Sequence, residues 1–84
     1  MIDLLYFAWV RERIGLDSES VALPAGVDTV GALLDWLAVR PGGYGAALAD
    51  RGALRVAVDQ EFATDATPVR DGAELAIFPP VTGG

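Results

Sequence analysis

The sequence predicts an α+β domain: a mixed sheet of about five strands with one main helix packed on one face. Three observations predict it. The chain opens on an apolar, aromatic-rich run at residues 2–10, which reads as a strand. Its middle carries Val30, Leu33, Leu34 and Leu37 at i, i+3, i+4 and i+7, one apolar stripe of a helix. Its second half holds two segments, 54–59 and 74–78, in which apolar residues alternate with other residues as strands do. Strands on either side of a single strong helix describe a sheet covered on one face.

The elements follow in order. Residues 2–10 are almost wholly apolar, predicting a strand buried at least partly on both faces. Asp3 sets the sides. Neighbouring side chains alternate across a strand, so Asp3, Leu5 and Phe7 share the outer face and Ile2, Leu4 and Tyr6 the inner one. Residues 11–20 are polar and contain Gly15, predicting a short helical turn or loop, and Val21-Ala22-Leu23 before Pro24 predicts a short second strand returning as a hairpin. Asp28 or Thr29 caps the helix by accepting from its free amides, and Pro41-Gly42-Gly43 stops it. Residues 44–49 add a further helical turn. Leu54, Val56 and Val58 then alternate with Arg55, Ala57 and Asp59 as a half-buried strand, Asp59-Gln60-Glu61 turns, and Phe62-Ala63 opens a short return strand. Arg70-Asp71-Gly72 marks a loop. In the last strand, residues 74–78, Leu75 and Ile77 face the core while Glu74, Ala76 and Phe78 face out. The resulting order, strand, strand, helix, strand, short strand, strand, is that of the β-grasp, or ubiquitin-like, fold. Residues 1–78 form this single domain and residues 79–84 an extended tail.

Composition narrows the chemistry. The 84 residues include no histidine and no cysteine, which removes disulfides, a thiolate nucleophile, thiolate zinc sites, and the commonest general base and metal ligand. A conventional small enzyme is not expected, nor a bound metal. All six cations are arginines, so no lysine is present for a Schiff base or as a conjugation acceptor. Twelve acidic side chains give a net charge of −6, which repels phosphate and argues against nucleic acid. No apolar run reaches the roughly 18 residues of a membrane span, and Met1-Ile2-Asp3 lacks the basic start of a signal peptide. A cytoplasmic protein that does not engage membranes is expected.

The end of the chain is the distinctive part: Phe78-Pro79-Pro80-Val81-Thr82-Gly83-Gly84. Two prolines cannot donate to a sheet ladder and favour an extended path, so the last strand ends there and a flexible tail leaves the body. Six extended residues reach at most about 20 Å, enough to enter a deep pocket on another protein. Without Cβ atoms at Gly83 and Gly84, the terminal carboxylate passes a narrow channel and is open to attack from either side. The competing reading is an inert spacer.

These residues resemble the small subunit of molybdopterin synthase, a ubiquitin-like sulfur-carrier family. The resemblance covers nearly the whole chain: Leu5-Tyr6-Phe7-Ala8 with Arg11-Glu12 and Gly15, Thr29-Val30 with Leu33, Val58-Asp59-Gln60, Asp71-Gly72-Ala73-Glu74, and above all the tail. Two turn positions depart from the family pattern, Asp59 where asparagine is usual and Ala73 where an acidic residue is common. The resemblance implies a sulfur carrier that is not catalytic alone. An ATP-dependent activating enzyme would adenylate the Gly84 carboxylate, a sulfur donor (a sulfurtransferase or cysteine desulfurase) would convert the acyl adenylate to a thiocarboxylate, and the large synthase subunit would use it to build the molybdopterin dithiolene from cyclic pyranopterin monophosphate. No cofactor would be bound permanently; Gly84 would carry the adenylate and then the sulfur. Carriers for thiamine or cysteine biosynthesis, a ubiquitin-like modifier, and a plain interaction module are the alternatives.

Outward-facing Leu5 and Phe7 on the first strand, Ala76 and Phe78 on the last, and Phe62 near the hairpin predict an apolar patch beside the tail exit, of the kind that marks protein interfaces; the resemblance implies that the large subunit and the activating enzyme dock there in turn. Trp9 and Trp36 read as packing residues. Gly42-Gly43-Tyr44-Gly45 lacks the Lys-Ser/Thr of a phosphate loop and reads as a helix stop. Asp17, Glu19, Asp59, Glu61, Asp65 and Asp71 read as a solvated acidic surface, and Arg11-Glu12 as a structural ion pair.

Overall fold

Residues 1–80 are described by a computed structural model. The chain runs β1 (Ile2–Tyr6), α1 (Ala8–Ile14), β2 (Ser18–Val21), α2 (Val30–Ala38), α3 (Tyr44–Ala47), a 3-10 turn (Arg51–Ala53), β3 (Arg55–Val58), β4 (Glu61–Ala63) and β5 (Glu74–Phe78). The five strands form one mixed sheet in the order β2-β1-β5-β3-β4. β1 and β5 are parallel, and the other neighbours are antiparallel. This is the ubiquitin-like β-grasp arrangement, with the first and last strands side by side.

Alternation in the strands and helical spacing in α2 meet in one core. Ile2, Leu4 and Tyr6 of β1 and Leu75 and Ile77 of β5 are buried against Val30, Leu33, Leu34 and Leu37 of α2. Burying one such side chain contributes about 1.5–3 kcal/mol, so this layer dominates the stability. α2 begins where expected: the Thr29 hydroxyl accepts from the Ala32 amide at 3.2 Å. The Val30 and Gly31 amides donate to the carbonyls of Thr67 and Asp65, both at 2.9 Å, which ties the helix start to the loop before β5. Asp59 and Gln60, both at positive φ (49° and 72°), make the tight turn joining β3 to β4. Right-handed strand twist favours such a turn.

Two boundaries differ from the sequence reading. The first strand ends at Tyr6 rather than Val10, because Ala8 takes a left-handed conformation (φ 53°) and the chain turns into α1. Val10 and Ile14 there lie four apart on the helix face that meets the core, a spacing hidden by the apolar run before it. Gly15, at φ 91°, closes α1 by donating its amide to the Arg11 carbonyl. The second strand is Ser18–Val21 rather than residues 21–23, since pairing with β1 fixes Val21 opposite Ile2 and Ser18 opposite Leu5. Arg11 pairs with Asp17 at 3.7 Å and not with Glu12.

Gly43 serves packing as well as the helix stop. A Cβ built there would sit 1.6 Å from the Arg13 carbonyl oxygen, so only glycine lets α3 approach the end of α1 this closely. Trp9 and Trp36 pack partly buried against the core, as expected, with the Arg13 and Arg40 guanidinium groups over their rings at 4.5 and 5.1 Å.

Candidate functional site

The face of the sheet away from α2 is built by register. Leu5 of β1 lies opposite Ala76 of β5, Ala76 opposite Ala57 of β3, and Ala57 opposite Phe62 of β4, giving one apolar row across four strands. On one side of that row Asp3 pairs with Glu74, and the Asp59 carboxylate accepts from the Glu74 amide at 2.9 Å. On the other side Phe78 pairs with Arg55. Phe7 continues β1 in extended conformation (φ −128°, ψ 154°), its amide donating to the Ile77 carbonyl at 3.2 Å. The face therefore passes from acidic, through apolar, to aromatic with one arginine at the end where the chain leaves.

Phe62 is 85% exposed and Phe7 46%, although both belong to residue types normally covered. Phe62 and Phe78 make a tilted ring pair with centroids 6.2 Å apart. With Arg55, Val56, Ala63 and Pro80 they line an open hollow of about 550 Å³. Large aromatics left in the open favour a protein surface as the ligand.

The structure thus brings Leu5, Phe62, Ala76 and Phe78 together, with Phe7 beside them, as the sequence predicts. β5 ends at Phe78, and Pro79 and Pro80 follow it directly. The predicted tail positions Val81, Thr82, Gly83 and Gly84 lie outside the described residues. Ala57 and Arg55 were not among the predicted patch residues. Alternation in β3 placed both on its outward side, but pairing between β3 and β5, which sequence pattern does not reveal, is what joins them to the patch.

A second cluster lies on the helix side of the sheet. Glu19, read from the sequence as solvated, points inward from the edge strand β2. Its Oε2 accepts from the Tyr6 hydroxyl at 2.7 Å and the Tyr44 hydroxyl at 2.5 Å, and its Oε1 from Arg40 at 3.2 Å. Arg40 also stacks on the Tyr44 ring at 4.7 Å. Burial acts to raise the Glu19 carboxyl, but the hydrogen bonds from Tyr44 and Tyr6 and the Arg40 charge together outweigh it and hold the carboxyl below its usual range. Burial, and then the hydrogen bond to Glu19, push both tyrosine hydroxyls up. The cluster is satisfied and closed, and it staples β2 to α3 and the end of α2. No spacing rule links these four residues. A carboxylate one residue out of phase with Ser18 and Ser20 was the available signal.

Among the described residues no group of three or more histidine, cysteine, aspartate or glutamate side chains is placed to hold a metal, and no helix is long and apolar enough to cross a membrane.

The model of the ThiS family matches residues 4–84. The molybdopterin synthase sulfur carrier subunit of Escherichia coli is 45% identical over 84 residues, the whole of both chains, and that of Haemophilus influenzae is 38% identical over the same span. Among solved structures, SAMP1 from Haloferax volcanii superposes with a TM-score of 0.74 at 32% identity, covering 99% of this chain and 98% of its own.

Proposed function

We propose a function from one premise: the chain belongs to the ThiS family. Its reading within that family is a sulfur carrier, the small subunit of molybdopterin synthase. The observation that carries this reading is the full-length 45% identity to a subunit of that name. The geometry supports it. β5 contributes Ala76 and Phe78 to the exposed face and then continues into Pro79 and Pro80, so a protein seated on the face would receive the tail at its edge.

The chemistry follows from what the chain has and lacks. The Gly84 carboxylate is a poor acyl donor until one oxygen becomes a good leaving group. Attack of the Gly84 carboxylate on the α-phosphorus of ATP, on an activating enzyme, gives the acyl adenylate and releases pyrophosphate. Sulfide-level sulfur then displaces AMP to give the thiocarboxylate directly, whereas a persulfide donor first gives an acyl disulfide whose S–S bond a second thiol must reduce; the sulfur so carried is a nucleophile. With no cysteine, this chain cannot supply that sulfur; with no histidine or lysine, it leaves proton transfer and phosphate binding to its partners. The large synthase subunit would take the sulfur into the molybdopterin dithiolene from cyclic pyranopterin monophosphate, in the cytoplasm.

Intact-mass analysis tests the reading. Protein incubated with activating enzyme, ATP and a sulfur source is expected to gain the difference between sulfur and oxygen, once per chain, and a chain lacking Gly84 to gain nothing. An unchanged mass for the full chain refutes the carrier reading, and lysine-linked adducts on other proteins would assign a modifier instead.

A further inference from the structure

We propose that Arg55 determines specificity on the exposed face, by meeting a carboxylate of the docked protein at the end where the tail leaves. The proposal rests on the carrier reading and adds to it the chemistry the partner must present. Arg55 stands in register with Phe78, exposed, and lines the hollow with Phe62 and Pro80. Its Nη1 donates to the Leu54 carbonyl at 2.8 Å and the Gly52 carbonyl at 3.3 Å. Those two bonds hold the guanidinium in place. Nε and Nη2 make no hydrogen bond within the described residues, which leaves a fork of the shape that takes a carboxylate.

The setting makes this deliberate. The chain has twelve acidic side chains, and Arg11, Arg40 and Arg51 each pair with one or two of them, whereas among the described residues Arg13, Arg55 and Arg70 have none within ion-pair distance; of those three, Arg55 alone lines the aromatic hollow. A protein covering Phe62 and Phe78 would also take Arg55 out of water. An arginine desolvated without an acceptor is costly, so a partner that binds tightly must place an aspartate or glutamate there. At the other end of the face, Asp3 and Glu74 are four residues away along the strands, about 13 Å. That exceeds the Debye length of about 10 Å at 0.1 M salt, so a partner feels the two ends separately. A matching surface is therefore apolar in the middle, acidic toward the tail and basic away from it, and it seats in one orientation only. That orientation is the one that delivers the tail.

The test is binding of the full chain to the large synthase subunit of the same organism, followed by surface plasmon resonance over a range of salt. Arg55→Glu is expected to weaken binding at least about thirtyfold and Arg55→Gln about tenfold, mainly through faster dissociation. Arg55→Gln is also expected to flatten the salt dependence, while both variants keep the wild-type melting temperature. Wild-type affinity within twofold for both overturns the proposal and leaves the carrier reading intact. So does loss of binding with Arg55→Glu alone, since that reports repulsion by the new carboxylate. If the wild-type chain does not bind the subunit, the carrier reading itself falls and the proposal with it. Concentration-dependent self-association of the chain, abolished by Arg55→Glu while subunit binding is unchanged, would move Arg55 to a homodimer contact and also overturn it.

Discussion

The two faces of the sheet are both apolar, yet one is a core and the other is bare. β5 supplies both: Leu75 and Ile77 are fully buried under α2, while Ala76 and Phe78, one residue out of phase, stay partly open on the other side. Hydrophobicity does not separate the roles of these four neighbours. Coverage does. A side chain under α2 stabilises the fold; one on the bare face adds little until another protein covers it, and then contributes to recognition. The acid groups divide in the same way, with Glu19 closed in a hydrogen-bonded cluster on the helix side and Asp3 and Glu74 at the rim of the bare face.

The comparison breaks most severely if the covered face proves tolerant. Leu75→Ala is expected to lower stability by about 2–5 kcal/mol, from lost burial and the cavity left behind. Against the roughly 5–15 kcal/mol typical of a whole domain that is a large share of the total, readable as a lowered urea midpoint. Gly43→Ala is the next largest. Its backbone angles are ordinary (φ −80°), so the cost comes from the collision with Arg13 alone, about 2–3 kcal/mol as α3 is pushed from α1. An unchanged melting temperature would show that the two helices separate freely.

The Glu19 cluster predicts how stability depends on pH. A carboxyl held below its ordinary 4.5 in the folded chain stabilises it fully above that pH, and the contribution is lost as pH falls through the lowered value. Hydroxyls raised above 10.0 act oppositely: Tyr6 and Tyr44 stabilise the fold fully below pH 10.0 and lose that contribution as pH rises past it. Melting temperatures should therefore form a plateau with an acid and an alkaline shoulder. Glu19→Gln is expected to cost about 1–3 kcal/mol at neutral pH, since it weakens the acceptor shared by three donors. It should also flatten the acid shoulder. A wild-type acid shoulder in that variant would assign the transition to other carboxylates.

How much of this could be read in advance follows the same division. Periodicity located Leu33, Leu34, Leu37, Leu75 and Ile77 in the core and Leu5, Phe7, Ala76 and Phe78 outward, because burial of one face imposes the period directly. It failed at Trp9 and Val10, where a strand-like run of apolar residues continues into a helix and only the left-handed Ala8 marks the change. The inward turn of Glu19 was not legible, as its partners Tyr6, Arg40 and Tyr44 are up to 25 residues distant and brought together by packing alone. Arg55 and Ala57 were assigned the right side of their strand. Their membership of the patch depends on β3 lying next to β5, and strand order leaves no trace in local pattern.

The smallest expected effect on stability is the sharpest test of the bare face. Phe62→Ala removes a ring that is 85% exposed, on a three-residue edge strand, touching Phe78 at 6.2 Å and little of the core. Its transfer from water on folding is slight, so the melting temperature should stay within the change produced by about 0.5 kcal/mol. The same ring is a large aromatic at the end of the Leu5, Ala76, Ala57 row, placed where a docked protein would cover it. Truncating an anchor of that kind typically weakens a complex by 1–2 kcal/mol or more, about five- to thirtyfold in Kd. Stability and binding should thus respond in opposite proportion to Leu75→Ala and Phe62→Ala. A Phe62→Ala chain that melts early but binds its partner normally would show that the two faces are one structural unit, and that the exposed row is core left uncovered rather than a surface kept for another protein.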